Sequence, residues 1–93
     1  MSETFKLASK SRIYSLTVTA DPIKLCTKNP TRLMIAVQVT SGTAYITSGQ
    51  NKPYTEGIQV TSSLPYSNDT TDAELWILTS TSTAAVIVQE DTD

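Results

Sequence analysis

From Tyr14 onward, apolar and polar positions alternate with the two-residue period of half-buried strands. Tyr14, Leu16, Val18 and Ala20 share one face, up to a break at Asp21-Pro22. Ile23 and Leu25 make a short strand that stops at Lys28-Asn29-Pro30. Leu33, Ile35, Val37 and Val39 form one face of the next strand, with Met34 and Ala36 behind, which predicts a central strand covered on both sides. That strand runs through Ser41-Gly42 into a second one, so residues 32–46 read as a hairpin with a glycine free to take positive φ. Beyond the turn, either Tyr45 and Thr47 or Ala44 and Ile46 face inward.

Turn formers fill residues 48–57, predicting a projecting loop, and residue 57 opens another strand, GIQV. Residues 62–72 read as a second long loop. Residues 74–79 and 84–89 supply two more strands across a Ser/Thr-rich turn. Short strands at this spacing predict an all-β fold, a small antiparallel β-sandwich or barrel of the Ig-like or jelly-roll-like kind, with about seven to eight strands. The expected organisation is an extended N-terminal arm over residues 1–11, one domain over 12–90 and an acidic tail over 91–93. Phe5 and Leu7 are the arm's possible anchors.

Composition narrows the chemistry. A 93-residue chain buries only about two-thirds of its unfolded surface, so its stability margin is thin. Cys26 is alone and closes no disulfide within a monomer; with no histidine to activate it, it reads as a small buried apolar residue. Serine and threonine fill 27 positions, which suits sheets whose outer faces stay wet and can be covered by a neighbour at little desolvation cost. The opening residues lack the apolar segment of a secretory signal, and apolar runs no longer than that of residues 33–37 fall far short of a membrane span. The expectation is a soluble protein made in a cytoplasm.

Charge is segregated along the chain. Residues 1–52 hold all seven bases with only Glu3 and Asp21, and residues 53–93 hold seven acids with no base. Either the two halves attract each other within one folded chain, or a basic arm and an acidic tail dock copies head to tail or onto a larger partner.

Candidate chemistry is sparse. The 67–72 segment lacks the acid spacing and glycine of a calcium loop. Asn68, Asp69 and Asp72 are a calcium alternative to a turn in which Asn and Asp bond their own backbone. Glu56, Asp72 and Glu74 are available for acid–base work, but nothing groups them with a nucleophile. Three glycines make no phosphate loop, and the scattered bases lack aromatic interleaving. The expectations are no enzyme, no cofactor, no metal, no nucleic acid and no membrane. The aromatics give the binding hints. Tyr54 and Tyr66 lie in the two long loops, where they read equally as interface anchors and as incidental exposure; Trp76, inside ELWIL, reads as core.

NPTRLMIAVQVTSGTAYIT, GIQV and ELWILTSTSTAAVIVQE together resemble small virion proteins of tailed bacteriophages, the head decoration or cement proteins and related minor capsid proteins. The matching positions are Asn29, Pro30, Arg32, Ile35, Gly42, Tyr45, Ile46, Glu74, Leu75, Trp76, Val86 and Val88, over residues 29–89. Where related sequences often place Asn after the first strand, this one has Val39-Thr40. The resemblance implies a non-enzymatic protein on the capsid surface, bound in many copies to the major capsid protein and assembled as a homo-oligomer, with a trimer favoured. Phe5, Lys6, Lys10, Arg12, Tyr54 and Tyr66 are the candidate partner interface. A carbohydrate- or receptor-binding module on the virion, using Tyr54 and Tyr66, and a minor neck or tail component are the alternatives.

Overall fold

A computed structural model describes residues 10–71 and 73–93. The described chain is a β-sandwich of eight strands: β1 (Lys10–Val18), β2 (Ile23–Cys26), β3 (Arg32–Ser41), β4 (Ala44–Thr47), β5 (Ile58–Val60), β6 (Tyr66–Asn68), β7 (Leu75–Leu78) and β8 (Ala84–Thr92). A 3-10 turn, Tyr54–Glu56, precedes β5. One four-stranded sheet, here sheet A, has the order β1-β8-β3-β6, and its partner, sheet B, the order β2-β7-β4-β5. All the strand pairs are antiparallel.

Every link between successive strands crosses from one sheet to the other, except β4 to β5. That corrects the hairpin expected over residues 32–46. β3 and β4 do not pair: β3 lies between β8 and β6, and β4 between β7 and β5. Gly42 does take positive φ, at 81°. Its service is close approach rather than a hairpin turn, since a Cβ there would stand 2.6 Å from the Thr83 carbonyl oxygen. The backbone therefore passes tightly under the start of β8 as it changes sheet.

The core lies between the sheets. Ala84, Val86 and Val88 of β8 alternate inward and meet Val37 and Val39 of β3, and Ala44, Ile46, Val60 and Ile77 face them from sheet B. Of the two parities open beyond Gly42, Ala44 and Ile46 thus take the core side. Each fully buried Val, Leu or Ile contributes about 1.5–3 kcal/mol relative to exposure. Bulges interrupt the alternation twice where it matters. One in β2, between Lys24 and Cys26, lets the consecutive Leu25 and Cys26 both be buried. Another in β3, between Arg32 and Met34, buries Arg32 and leaves Leu33 only half-buried, where strict alternation predicts Leu33 in the core.

Three further differences from the sequence reading are confined to short stretches. Part of the second long loop is strand: Tyr66–Asn68 pairs with Ile35, Ala36 and Val37. Lys10 and Ser11, placed above in the arm, and Asp91 and Thr92, placed above in the tail, are strand residues of sheet A, with Lys10 opposite Thr92 and Ser11 opposite Asp91. Trp76 is half-buried and outside the core, because Ile77 takes the inward position and Trp76 the opposite parity.

Candidate binding surfaces

The outer face of sheet A is set by the same parity that fills the core. With Tyr14, Leu16 and Val18 turned inward, Ser11, Ile13, Ser15 and Thr17 face out; with Val86 and Val88 inward, Ala85, Ile87, Gln89 and Asp91 face out. Across this face runs a groove of about 490 Å3, floored by Ala36, Gln38, Ile87 and Gln89, with Ile13 at one side and Pro65 at the other. Ile13 is 69% exposed and Ile87 38%. Large apolar side chains open to solvent among hydroxyls and amides make a surface that a flat partner can cover with little desolvation cost.

The outer face of sheet B is built differently. Tyr45, turned away from the core by the inward Ala44 and Ile46, meets Tyr54 at a ring-centroid distance of 5.0 Å and an interplanar angle of 52°. The 48–57 segment consequently folds back over β4 rather than projecting, and Gly57 permits it: a Cβ there would lie 3.0 Å from that of Tyr45. Further along this face, Trp76 Nε1 donates to Glu74 Oε2 at 2.7 Å, and Lys24 Nζ lies 3.4 Å from Glu74 Oε1 and 5.6 Å from the Trp76 ring centroid. The indole hydrogen bond, helped by Lys24, holds the Glu74 carboxyl below its ordinary range.

Where the sandwich opens on the β1–β2 side, a cleft of about 310 Å3 is lined by Arg12, Tyr14, Lys24, Cys26 and Glu90, among others. Tyr14 bridges the sheets there, its hydroxyl donating to the Leu25 carbonyl at 2.7 Å, and burial pushes its phenol upward. Arg12 lies 4.6 Å over the Tyr14 ring. Burial is also the main cause that raises the Cys26 thiol, against an opposing pull from Arg32.

The candidate interface residues are therefore dispersed. Phe5 and Lys6 lie outside the described residues, while Lys10 and Arg12 sit on β1. Tyr54 covers Tyr45 on sheet B; Tyr66 belongs to β6 of sheet A, packs half-buried against the core and accepts a hydrogen bond from Asn68. Tyr54 and Tyr66 thus serve opposite sheets and form no joint site. Of the carboxylates weighed for acid–base work, Glu56 faces Lys52 at 3.6 Å, Glu74 is held as above, and Asp72 is outside the described residues. Asn68 Oδ1 accepts from the backbone N–H and hydroxyl of Thr70, at 2.8 and 2.9 Å, which makes this stretch a side-chain-capped turn. Among the described residues no three His, Cys, Asp or Glu side chains converge as a metal site.

Sequence reasoning passed over two features. Ile13 and Ile87 were findable by parity, as the apolar exceptions on strand faces opposite the core. Arg32, one of the positions that carry the phage resemblance, has an architectural role that its place in the sequence does not announce. Asn29 Oδ1 accepts from the Thr31 N–H at 3.0 Å, the Arg32 N–H returns to the Asn29 carbonyl at 3.0 Å, and the turn delivers the guanidinium into the sandwich. There it meets Glu90 at 2.8 Å and donates to the carbonyls of Ala73, at 2.8 Å, and Thr27. Compared with protein-family models, curated proteins and solved structures, the chain matches none.

Proposed function

We propose that this chain is a non-enzymatic structural protein of a tailed-bacteriophage virion, one that decorates the head by binding the major capsid protein. The observation that carries this reading is the outer face of sheet A, a broad hydroxyl-rich surface with a shallow apolar groove around Ala36 and Ile87. The groove has the character of an adhesive patch rather than of a reaction chamber. The resemblance of residues 29–89 to phage decoration proteins supports the choice of partner. Capsid binding has a second consequence for a small domain with a thin stability margin: a lattice that binds only the folded chain shifts folding by mass action. The mechanism is mechanical, with many modest contacts tying neighbouring capsid subunits together.

Co-sedimentation with undecorated capsids at micromolar concentration tests the proposal. The wild-type chain pellets with the capsids, and Ile87→Asp, which places a charge in the groove without touching the core, stays in the supernatant. A wild-type chain that remains soluble in the presence of capsids refutes the reading.

A second reading draws on the other sheet. The exposed Tyr54, stacked at a tilt on Tyr45, resembles the aromatic platforms that receive sugar rings, and supports a glycan- or receptor-binding role on the virion surface. Glycan-array binding that disappears in Tyr54→Ala is the outcome this alternative requires.

A further inference from the structure

The four sheet edges are unequal. β2, β5 and β6 offer four, three and three residues, whereas β1, the remaining edge of sheet A, runs for nine, Lys10–Val18. Short edge strands are a common protection against unwanted strand pairing. β1 lacks it: all nine of its residues pair with β8 on one side, and the backbone groups on its other side have no strand partner among the described residues.

We propose that β1 is a self-pairing edge, and that two copies of this chain join through it into a two-fold dimer with one continuous eight-stranded sheet. Length selects the occupant, since β1 is the only edge among the described residues able to satisfy nine residues of β1. Charge selects the direction. Both cations of the strand, Lys10 and Arg12, lie in its first three residues, and its second half is uncharged. A parallel, in-register pair would set Lys10 and Arg12 against their own copies. An antiparallel pair sets them against Val18 and Leu16 instead, with like charges at opposite ends of the seam.

Pairing over the full strand also fixes the register. The axis passes at Tyr14, the midpoint, so Ser11 lies opposite Thr17 and Ile13 opposite Ser15 of the second copy. Hydroxyls then face each other across the seam, and the two Ile13 side chains, 69% exposed in the single chain, become diagonal neighbours. Because this axis is perpendicular to the sheet, both grooves lie on the same side of the dimer. The pairing closes at two copies, which departs from the trimer that the phage resemblance implies. It stands on the edge alone and does not depend on the capsid reading.

Sedimentation equilibrium of the full chain, from low micromolar to several hundred micromolar, tests it. The expected result is a monomer–dimer equilibrium that stops at two, with amide exchange across residues 10–18 slowing as concentration rises. Ile13→Lys/Thr17→Lys changes two exposed side chains and adds cations to the seam, so it weakens the dimer by about tenfold or more, equivalent to about 1.4 kcal/mol. Ile58→Lys, at an isoleucine 56% exposed on β5, leaves the dimer intact. A wild-type chain that stays monomeric throughout, a trimer, or a double-lysine variant that dimerises as well as wild type each overturns the proposal.

Discussion

Arg32 and Glu90, 58 residues apart in sequence, meet at 2.8 Å inside the sandwich, the guanidinium fully covered. They bring together the basic and acidic halves of the chain, and Lys24 with Glu74 repeats the pattern at the surface. Of the two meanings open for the segregated charges, attraction within one folded chain is the one realised in these pairs. The buried pair also has its hydrogen bonds completed by main-chain carbonyls, the condition under which such a pair is tolerated in a low-dielectric interior.

Removing one partner strands the other. Arg32→Met leaves Glu90 buried without its cation and the Ala73 and Thr27 carbonyls without their donor, at a cost of about 3–5 kcal/mol in urea unfolding. Arg32→Met/Glu90→Leu costs less than the two single changes together, and the difference is the coupling that a double-mutant cycle reads. Additive effects contradict the pairing.

Gly42 is the second sensitive position. Gly42→Ala forces an L side chain into positive φ, at about 1–2 kcal/mol, and drives its Cβ to within 2.6 Å of the Thr83 carbonyl. The expected loss exceeds the conformational cost alone, measured as a lowered thermal midpoint. Gly49→Ala is the control, since a Cβ there meets nothing closer than a Lys52 side-chain carbon at 3.6 Å.

Glu74 gives a pH signature. Its carboxyl is held below the ordinary range by the Trp76 indole and then by Lys24, so the folded state binds its proton less readily than the unfolded state. The resulting stabilisation is present above the ordinary carboxylate range and is lost as pH falls through the lowered value. Trp76 fluorescence is expected to change in that acid window before global unfolding, and Glu74→Gln removes the change. A titration unaffected by Glu74→Gln contradicts the assignment.

Cys26 runs the other way. Burial raises its thiol, so its contribution to stability is complete below the ordinary thiol range and is lost as pH rises through the raised value. At mildly alkaline pH an aromatic disulfide reagent is expected to react slowly with the native chain and rapidly in denaturant. Equal rates in both conditions contradict a buried, neutral thiol.

Much of the architecture was legible because strands announce themselves by parity. Leu16, Val18, Ile35, Val37 and Val39 fall on the expected faces, and the two-layer all-β fold follows. Pairing was not legible. A two-residue link holding a positive-φ glycine suits a hairpin and a sheet switch equally, and the choice at Gly42 is made by β8, more than forty positions away. Tyr66–Asn68 was hidden because three polar-flanked residues carry no period. Trp76 misled because ELWIL reads as one apolar block, while strand parity sends Trp76 out and Ile77 in. Arg32 was beyond reach for a different reason: a bulge, set by long-range register, turned a charged residue into the interior.

The central claim, a passive tile repeated over a capsid, is tested most directly by counting this chain in purified virions. Quantitative mass spectrometry against the major capsid protein supplies the ratio. Decoration of the head predicts hundreds of copies per particle, in fixed proportion to the shell subunits. A dozen copies or fewer would place the chain at the neck or tail, and none at all would take it off the particle altogether.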